Sequence, residues 1–486
     1  MSSLALLPWL LILPLAAACL TGLLPLRATQ ISSLLVILSQ ALASLLLLLW
    51  MPSDEPLFYS LGSWGAPLGI VLRLDGLAAA FLMMTSLIAS LCGLYALSYL
   101  RPSQQPGFWP LFWFLWAALN GIWLAGDLFN LYVGLELLSL AAVGLVALGG
   151  EASRVKAALR YLFAALLGSL GYLLGVSLLY GAHGTLDLEL LAEVFHWGPL
   201  SALALALILA GLALKTAFFP LHTWLPPAHA GALTPVSALL SALVIKASFY
   251  IALRLWVELE MPERSLEVAQ LLGLLGAGAL FWGGWMALQQ VKLKQVVAYS
   301  TVAQLGYLLL IFPLLSSSSS EASHLASQGG WLMLLSHALA KAGMFLAAGN
   351  LILCAGRSEL SALAGLSRYR PMNIFAFGLA AVSLMGLPPS GGFSAKWLML
   401  QSALISGQWW WILVILLGSL LSAAYLFRVF SHTYLETQDS VQFGQPSLML
   451  ELCALTLAAL SILLGFFAPW PLAWFALPGP FTEALG

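Results

Sequence analysis

The sequence predicts an all-α polytopic membrane protein of about fourteen transmembrane helices, with two inverted five-helix repeats and discontinuous helices 7 and 12. Three observations carry that prediction. Of 486 residues, 62% are hydrophobic and only 8% are charged, against ~25% charge in soluble domains. Apolar runs recur at roughly the 20 residues a helix needs to cross the hydrocarbon core, and they are too many for one buried core. Two of these runs are broken by prolines close to a lysine. A soluble enzyme is excluded, and a net charge of −1 excludes nucleic-acid binding through a basic surface.

Cutting at charged, Pro-rich or Gly-rich punctuation places the spans near 4–25, 31–50, 69–98, 108–126, 128–149, 158–180, 201–219, 233–256, 267–288, 296–314, 329–353, 372–400, 409–431 and 447–470. The first run lacks a basic leading segment and is followed at once by a second span, so it reads as a helix rather than a signal peptide. Apolar sequence runs straight through the cut at Gly126-Asp127, which makes it the weakest boundary. The chain is then one transmembrane domain, 1–486. It holds helices 1–3 in 1–107, a first inverted repeat of helices 4–8 in 108–256, a second of helices 9–13 in 267–431, and helix 14 in 447–470.

Basic residues orient the spans. The odd-numbered connections hold Arg27, Arg101, Arg154, Lys156, Arg160, Lys292, Lys294, Arg357, Arg368, Arg370 and Arg428; the opposite face holds Arg73, Arg254 and Arg264. The positive-inside rule makes the odd connections cytoplasmic and puts both termini outside, as expected for a multi-pass protein of the cell inner (plasma) membrane. The run Ser316–Ser320 reads as a flexible outer loop.

Four lysines have no place in that sorting: Lys215, Lys246, Lys341 and Lys396 lie within apolar spans. Each costs roughly 2.5–3.5 kcal/mol to insert, and packing alone does not require them. Glu136 is the one acid near the middle of a span, with Asp75 and Glu451 nearer span ends. A buried ammonium is destabilised, and a neighbouring carboxylate restores it. A lysine whose charge is switched by a partner is therefore a proton relay site. Facing Lys215, Glu136 forms a coupled pair, and separating the two drives a proton from Lys215 towards Lys246. His337 and Lys341 are spaced i, i+4 and share one helix face, where a neutral imidazole exchanges a proton with the lysine.

The breaks add to this. Pro220, Pro226 and Pro227 interrupt the chain around His222 and His229 after Lys215, and Gly386-Leu-Pro388-Pro389-Ser-Gly391-Gly392 precedes Lys396. Broken backbone at membrane depth is tolerated where it is buried in protein or lines a wet cavity. Interruptions in corresponding places of two halves predict the inverted repeats, with two half-channels meeting near the bilayer centre. No metal site is expected, because His222 and His229 lack a nearby acid or cysteine. Cys19, Cys92, Cys354 and Cys453 lie far apart and read as small core residues. Trp109, Trp113, Trp116 and Trp123 cluster in the fourth span, some as candidate interface anchors; Gly273, Gly276 and Gly278 read as helix packing. No phosphate-cradling loop is present, so no cofactor is expected, and the chain by itself is not expected to be an enzyme.

These motifs resemble the antiporter-like subunits shared by respiratory complex I and the multisubunit Mrp-type sodium/proton antiporters. The resemblance runs from Leu72-Arg-Leu-Asp75-Gly76 to about residue 431. It is carried most strongly by Lys215 through Pro220-Leu-His222-Thr-Trp224-Leu-Pro226 to Lys246, by Ala298-Tyr299-Ser300-Thr-Val-Ala-Gln304-Leu-Gly306-Tyr307, by His337-Ala-Leu-Ala-Lys341, and by Gly386-Leu-Pro388-Pro389 to Lys396. The resemblance implies fourteen helices and a proton path through Glu136, Lys215, Lys246, His337, Lys341 and Lys396. Within the superfamily the chain looks most like the D component of the Mrp type, with Lys at 396 where one complex I class has Glu. Lys292 and Pro227 replace usual acids, and Gly134-Leu-Glu136-Leu-Leu-Ser-Leu is similar to the complex I subunit related to mitochondrial subunit 2. The subfamily stays open on these residues.

Three functions follow. The leading one is a subunit that couples protons to sodium or another monovalent cation among other membrane subunits of a hetero-oligomeric antiporter. The second is a proton-pumping membrane subunit of a complex I-like NADH:quinone oxidoreductase. The third is a non-transporting membrane scaffold whose charges only bind neighbouring helices.

Overall fold

Three helix starts are capped by short acidic side chains. Asp75 accepts from the Ala78 N–H at 2.9 Å, Asp127 from Phe129 and Asn130 at 3.0 and 2.8 Å, and Asp187 from Glu189 and Leu190 at 3.1 Å each. Each carboxylate satisfies backbone donors that a helix N-terminus leaves orphaned. The computed structural model describes residues 6–51, 55–259, 266–436, 443–475 and 477. Arg264, counted above among the opposite-face charges, lies outside the described residues.

The first half runs α1 (Trp9–Thr21), α2 (Leu26–Trp50), a hairpin of β1 (Leu57–Ser60) and β2 (Val71–Leu74), α3 (Gly76–Tyr99), α4 (Gln105–Leu124), α5 (Leu128–Ala147) and α6 (Ala152–His183). It continues through α7 (Leu188–Val194), α8 (Pro199–Thr216), α9 (Leu225–Gly231), α10 (Thr234–Leu239), a π turn at Leu240–Val244, and α11 (Ile245–Glu258). The second half holds α12 (Leu266–Gln289), α13 (Leu293–Leu309), α14 (Ile311–Leu315), α15 (Ser320–Ala355), α16 (Leu366–Tyr369), α17 (Pro371–Met385), α18 (Gly391–Ile405), α19 (Trp409–Thr433), α20 (Leu448–Phe466) and α21 (Pro469–Phe475). Among the described residues, twelve helical stretches are long and apolar enough to cross a membrane. Two shorter apolar helices, Trp9–Thr21 and Pro371–Met385, fall where the first and twelfth spans were predicted.

Burial sorts these helices into a centre and a rim. The apolar window of Thr234–Glu258 is 100% buried, that of Leu293–Leu315 94% and that of Ser320–Ala355 83%, against 28% for Leu26–Trp50. α11, α13 and α15 therefore have neighbours on every side. Polar side chains on them meet protein rather than hydrocarbon, the condition under which they are tolerated at this depth. Helices at the rim approach closely through glycine. A Cβ on Gly168 of α6 would stand 2.8 Å from the Gly211 carbonyl of α8, and one on Gly276 of α12 would stand 2.7 Å from the Gly306 carbonyl of α13. Gly211→Val is accordingly expected to destabilise the protein by about 1–3 kcal/mol through overpacking, read as a lower melting midpoint in detergent.

The two ends of the bundle differ. At one end β2 is bridged to the α4–α5 junction (Leu72 with Ala125), and that junction to the chain before α7 (Asp127 with Asp187). We call this the hairpin face. At the other end the chain before α13 is bridged at Lys292 to Glu359.

Several sequence expectations are corrected. The third span was expected from residue 69, but residues 71–74 pair with 57–60 as a strand and the helix starts after Asp75. None of the four tryptophans anchors at an interface: Trp109, Trp113, Trp116 and Trp123 are all 0% exposed, and at i, i+4, i+7 the first three stack along one face of α4. The serine run connects α14 to α15 as a loop, except that Ser320 already belongs to α15, which Ser319 caps through the Ala322 N–H at 3.3 Å. Arg254, sorted with the connections, is 1% exposed. Its guanidinium donates to Asp75 at 2.9 and 3.1 Å and to Glu258 at 2.8 Å, while Arg73 pairs with Asp75 at 3.3 Å and with Glu258 at 3.0 Å. This neutral quartet joins α3 to α11.

Candidate functional site

The predicted pair is formed. Lys215, in the last turn of α8, donates to Glu136 of α5 at 3.2 Å and to the Ser139 hydroxyl at 3.0 Å. Ser169 of α6 also donates to Glu136. α8 ends immediately afterwards: Ala217 has φ 61°, the 3₁₀ turn Leu221–Trp224 follows, and the Trp224 indole donates to the Leu214 carbonyl at 2.9 Å. Thr216, the neighbour of Lys215, donates to Ser248 of α11 at 2.7 Å.

Lys246 is 0% exposed and has no carboxylate partner among the described residues. The π turn just before it loosens the helical ladder, and the ammonium folds back to donate to the Ala242 carbonyl at 2.7 Å and the Ser241 carbonyl at 3.4 Å. The Ser241 hydroxyl meets Thr301 of α13 at 3.0 Å. The next residue along α13, Ser300, accepts from Lys341 of α15 at 2.5 Å, and Lys341 also donates to the Val297 carbonyl at 3.2 Å.

His337 lies one turn from Lys341 and is 1% exposed, with neither ring nitrogen hydrogen-bonded to the described residues. Lys246 and Lys341 are within its electrostatic reach, as they are for His229. His229 is also buried and unpartnered; His222 stacks on Phe219 at 5.5 Å instead.

Lys396 occupies the second break. α17 stops at Gly386 with φ 78°, Ser390 caps α18 through the Phe393 N–H at 3.2 Å, and Lys396 reaches back across the gap. It donates to the Leu384 and Met385 carbonyls at 3.0 and 3.1 Å and to Ser419 at 3.0 Å. A helix C-terminus leaves carbonyls unpaired and carries partial negative charge, so an ammonium is favoured there. The ring of Tyr307 lies 4.2 Å beneath the Lys396 nitrogen, adding a cation–π contact. Gln304 completes the link, donating to the same Leu384 carbonyl at 3.2 Å and to Ser422 at 3.1 Å.

Five of the six predicted residues, Lys215, Lys246, His337, Lys341 and Lys396, are buried, while the Glu136 side chain is 24% exposed; α13 supplies hydroxyl, amide and ring partners at Ser300, Thr301, Gln304 and Tyr307. Ser300, Thr301, Gln304 and Tyr307 recur at three- and four-residue intervals, which puts them on one face. That spacing was the available signal for residues the site prediction left out. Lys294, sorted with the connections, stands in the first turn of α13 and donates to the Ala232 carbonyl, between α9 and α10, at 2.8 Å and to Ser237 of α10 at 3.2 Å. Among the described residues no cluster of three or more His, Cys, Asp or Glu is suited to a metal ion.

Residues 125–422 match the family described as NADH:quinone oxidoreductase/Mrp antiporter, transmembrane. The chain belongs to this family. The matched region of this polytopic integral membrane protein contains Glu136, Lys215, Lys246, His337, Lys341 and Lys396. Two family relatives carry different names. The chain is 39% identical to the N component of the NADH-quinone oxidoreductase of Desulforudis audaxviator, over 79% of this chain and 76% of that protein. It is 29% identical to the D component of the Na(+)/H(+) antiporter of Alkalihalophilus pseudofirmus, over 84% of this chain and 82% of that one. Among solved structures, a chain of the Mrp complex from Dietzia sp. superposes with a TM-score of 0.90 at 25% identity, covering 100% of both chains. The family fold therefore extends beyond the matched segment into α1–α4 and α20.

Proposed function

We propose that the chain is the proton-translocating subunit of a multisubunit monovalent cation (Na+)/H+ antiporter, moving protons along Glu136, Lys215, Lys246, His337, Lys341 and Lys396. The observation that carries this is the composition of the row: one carboxylate, at its α5 end, and four lysines, three of them held by neutral groups without a carboxylate among the described residues. When Glu136 holds Lys215, the ammonium is favoured. When the pair opens, its proton is released from Lys215 towards Lys246. Two breaks, each beside a lysine, support inverted repeats near 108–256 and 267–431. The basic residues opposite the hairpin face support a plasma-membrane orientation with that face and both termini outside. The superposition on a whole chain of an Mrp complex supports assembly with other membrane subunits.

A second reading is favoured by the higher identity to the N component of an NADH-quinone oxidoreductase: the same row works as a pump subunit driven by electron transfer elsewhere. One experiment separates the two. Purified with its partner subunits in proteoliposomes, the protein is expected to acidify or alkalinise the lumen when a sodium gradient is imposed without any electron donor. Proton flux that appears only with NADH or another donor would replace the antiporter reading with the pump. If Glu136→Ala and Lys215→Ala spare all flux, both readings fail and the scaffold remains.

A further inference from the structure

We infer that Arg254 and its three ionic partners are an insulating plug, which closes the row at the hairpin face of the first repeat so that protons cannot leave it there. The inference rests on the reading of Lys246 as part of a proton path.

Lys246, Tyr250, Arg254 and Glu258 follow one another at i+4 along α11, so they form a single polar stripe on a helix that is otherwise wholly packed in protein. Eight residues at 1.5 Å each put Arg254 about 12 Å beyond Lys246 towards the hairpin face. A stripe of hydroxyl, carboxylate and lysine alone would be a natural outlet. The residue in its middle is one that keeps its proton and its charge at any working pH. Both ends of the guanidinium are engaged: Arg254 donates to Asp75, to Glu258 and, at 3.0 and 2.7 Å, to the Tyr250 hydroxyl, which itself donates to the Trp123 carbonyl at 2.8 Å. The Tyr250 ring lies 5.0 Å from the guanidinium, and Phe81, Trp123 and Tyr250 pack against one another with centroids 4.7–5.0 Å apart. Exposure falls inward, from 12% at the Arg73 side chain and 6% at Glu258 to 1% at Arg254 and 0% at Asp75.

A staple between α3 and α11 does not need these charges, since apolar side chains of similar volume commonly hold helices as well as buried ion pairs do. A fixed cation across a narrow polar route does what apolar packing alone does not: it repels protons and metal cations electrostatically. The two carboxylates and Arg73 keep the quartet neutral, so the barrier is local to the stripe.

The test is passive proton leak into proteoliposomes holding the complete complex, driven by a potassium diffusion potential with no sodium gradient and no electron donor. The double variant Arg254→Gln/Asp75→Asn removes one charge of each sign and is expected to leak about tenfold faster than wild type; adding Lys246→Met is expected to return the leak to the wild-type level. Arg254→Lys, which preserves charge and most contacts, guards against a folding failure of the first variant. A lysine can release its proton where arginine cannot, so its leak is expected to rise as pH is raised, while that of wild type stays flat. No rise in either variant, or a rise that survives Lys246→Met, overturns the plug. Because the assay needs no exchange activity, a wild type without sodium-driven flux but with a Lys246-dependent leak in the variants would refute the antiporter and keep the plug.

Discussion

Lys215→Met, assembled with its partner subunits, is expected to lose cation-driven proton exchange by at least about a hundredfold, the scale on which losing a positioned proton-transfer group acts. Met fills the volume of the lysine stem, so the close α6–α8 crossing at Gly168 and Gly211 is preserved. Glu136→Gln is expected to fall nearly as far, because it removes the compensating charge and leaves the ammonium with neutral acceptors, the amide oxygen and Ser139 at 3.0 Å. The double variant should be no worse than the worse single. Groups that work as a unit are not additive, and the exchange rates of the four proteins form a cycle whose coupling term is the measured quantity. Independent effects that multiply would show that the two residues act in separate steps, and the coupled-pair mechanism would fail.

Gly386→Ala is expected to reduce the same exchange by about tenfold and to lower stability by roughly 1–2 kcal/mol, the cost of a left-handed non-glycine residue. Gly386 ends α17 at φ 78°, and an added Cβ would stand 2.7 Å from Cδ and 3.2 Å from Nζ of Lys396. The methyl group therefore displaces the ammonium from the Leu384 and Met385 carbonyls. The first break is the control. Ala217 already sits at φ 61° without a lysine folded against it, so Ala217→Gly should leave exchange intact and change stability by no more than about 1 kcal/mol. Equal losses at the two positions would mean that backbone strain alone, rather than the seat of Lys396, governs the second break.

The large features of this molecule were readable because the bilayer makes them costly. Four lysines and one glutamate in apolar spans are conspicuous in any reading, as are Pro220 and Pro388-Pro389, and each marks a place where the structure departs from plain helix. The α13 partners were hidden for the opposite reason. Ser and Thr sit cheaply in apolar helices by bonding to a carbonyl a turn back, as Thr301 does to Val297 at 3.1 Å. Only the placement of the π turn and α15 against α13 reveals which hydroxyls also face a partner. Arg254 was misread because a charge near the end of a span looks like part of a connection, and its carboxylate partner Asp75 is 179 positions away. The π turn at Leu240–Val244 left no mark in a uniformly apolar run, and β2 was absorbed into the third span because Val71, Leu72 and Leu74 are as apolar as the helix they precede.

The two breaks close their exposed carbonyls with unlike donors. At the first, the indole of Trp224 holds the Leu214 oxygen, and an indole N–H does not ionise under any condition the protein meets. At the second, the donor to Leu384 and Met385 is the Lys396 ammonium, whose grip changes with its own protonation. Loss of the Lys396 proton would therefore weaken the closure of the second break and leave that of the first as it is. On the proton path proposed above, the two breaks would thus answer a passing proton unequally, the second by releasing its backbone acceptors and the first not at all.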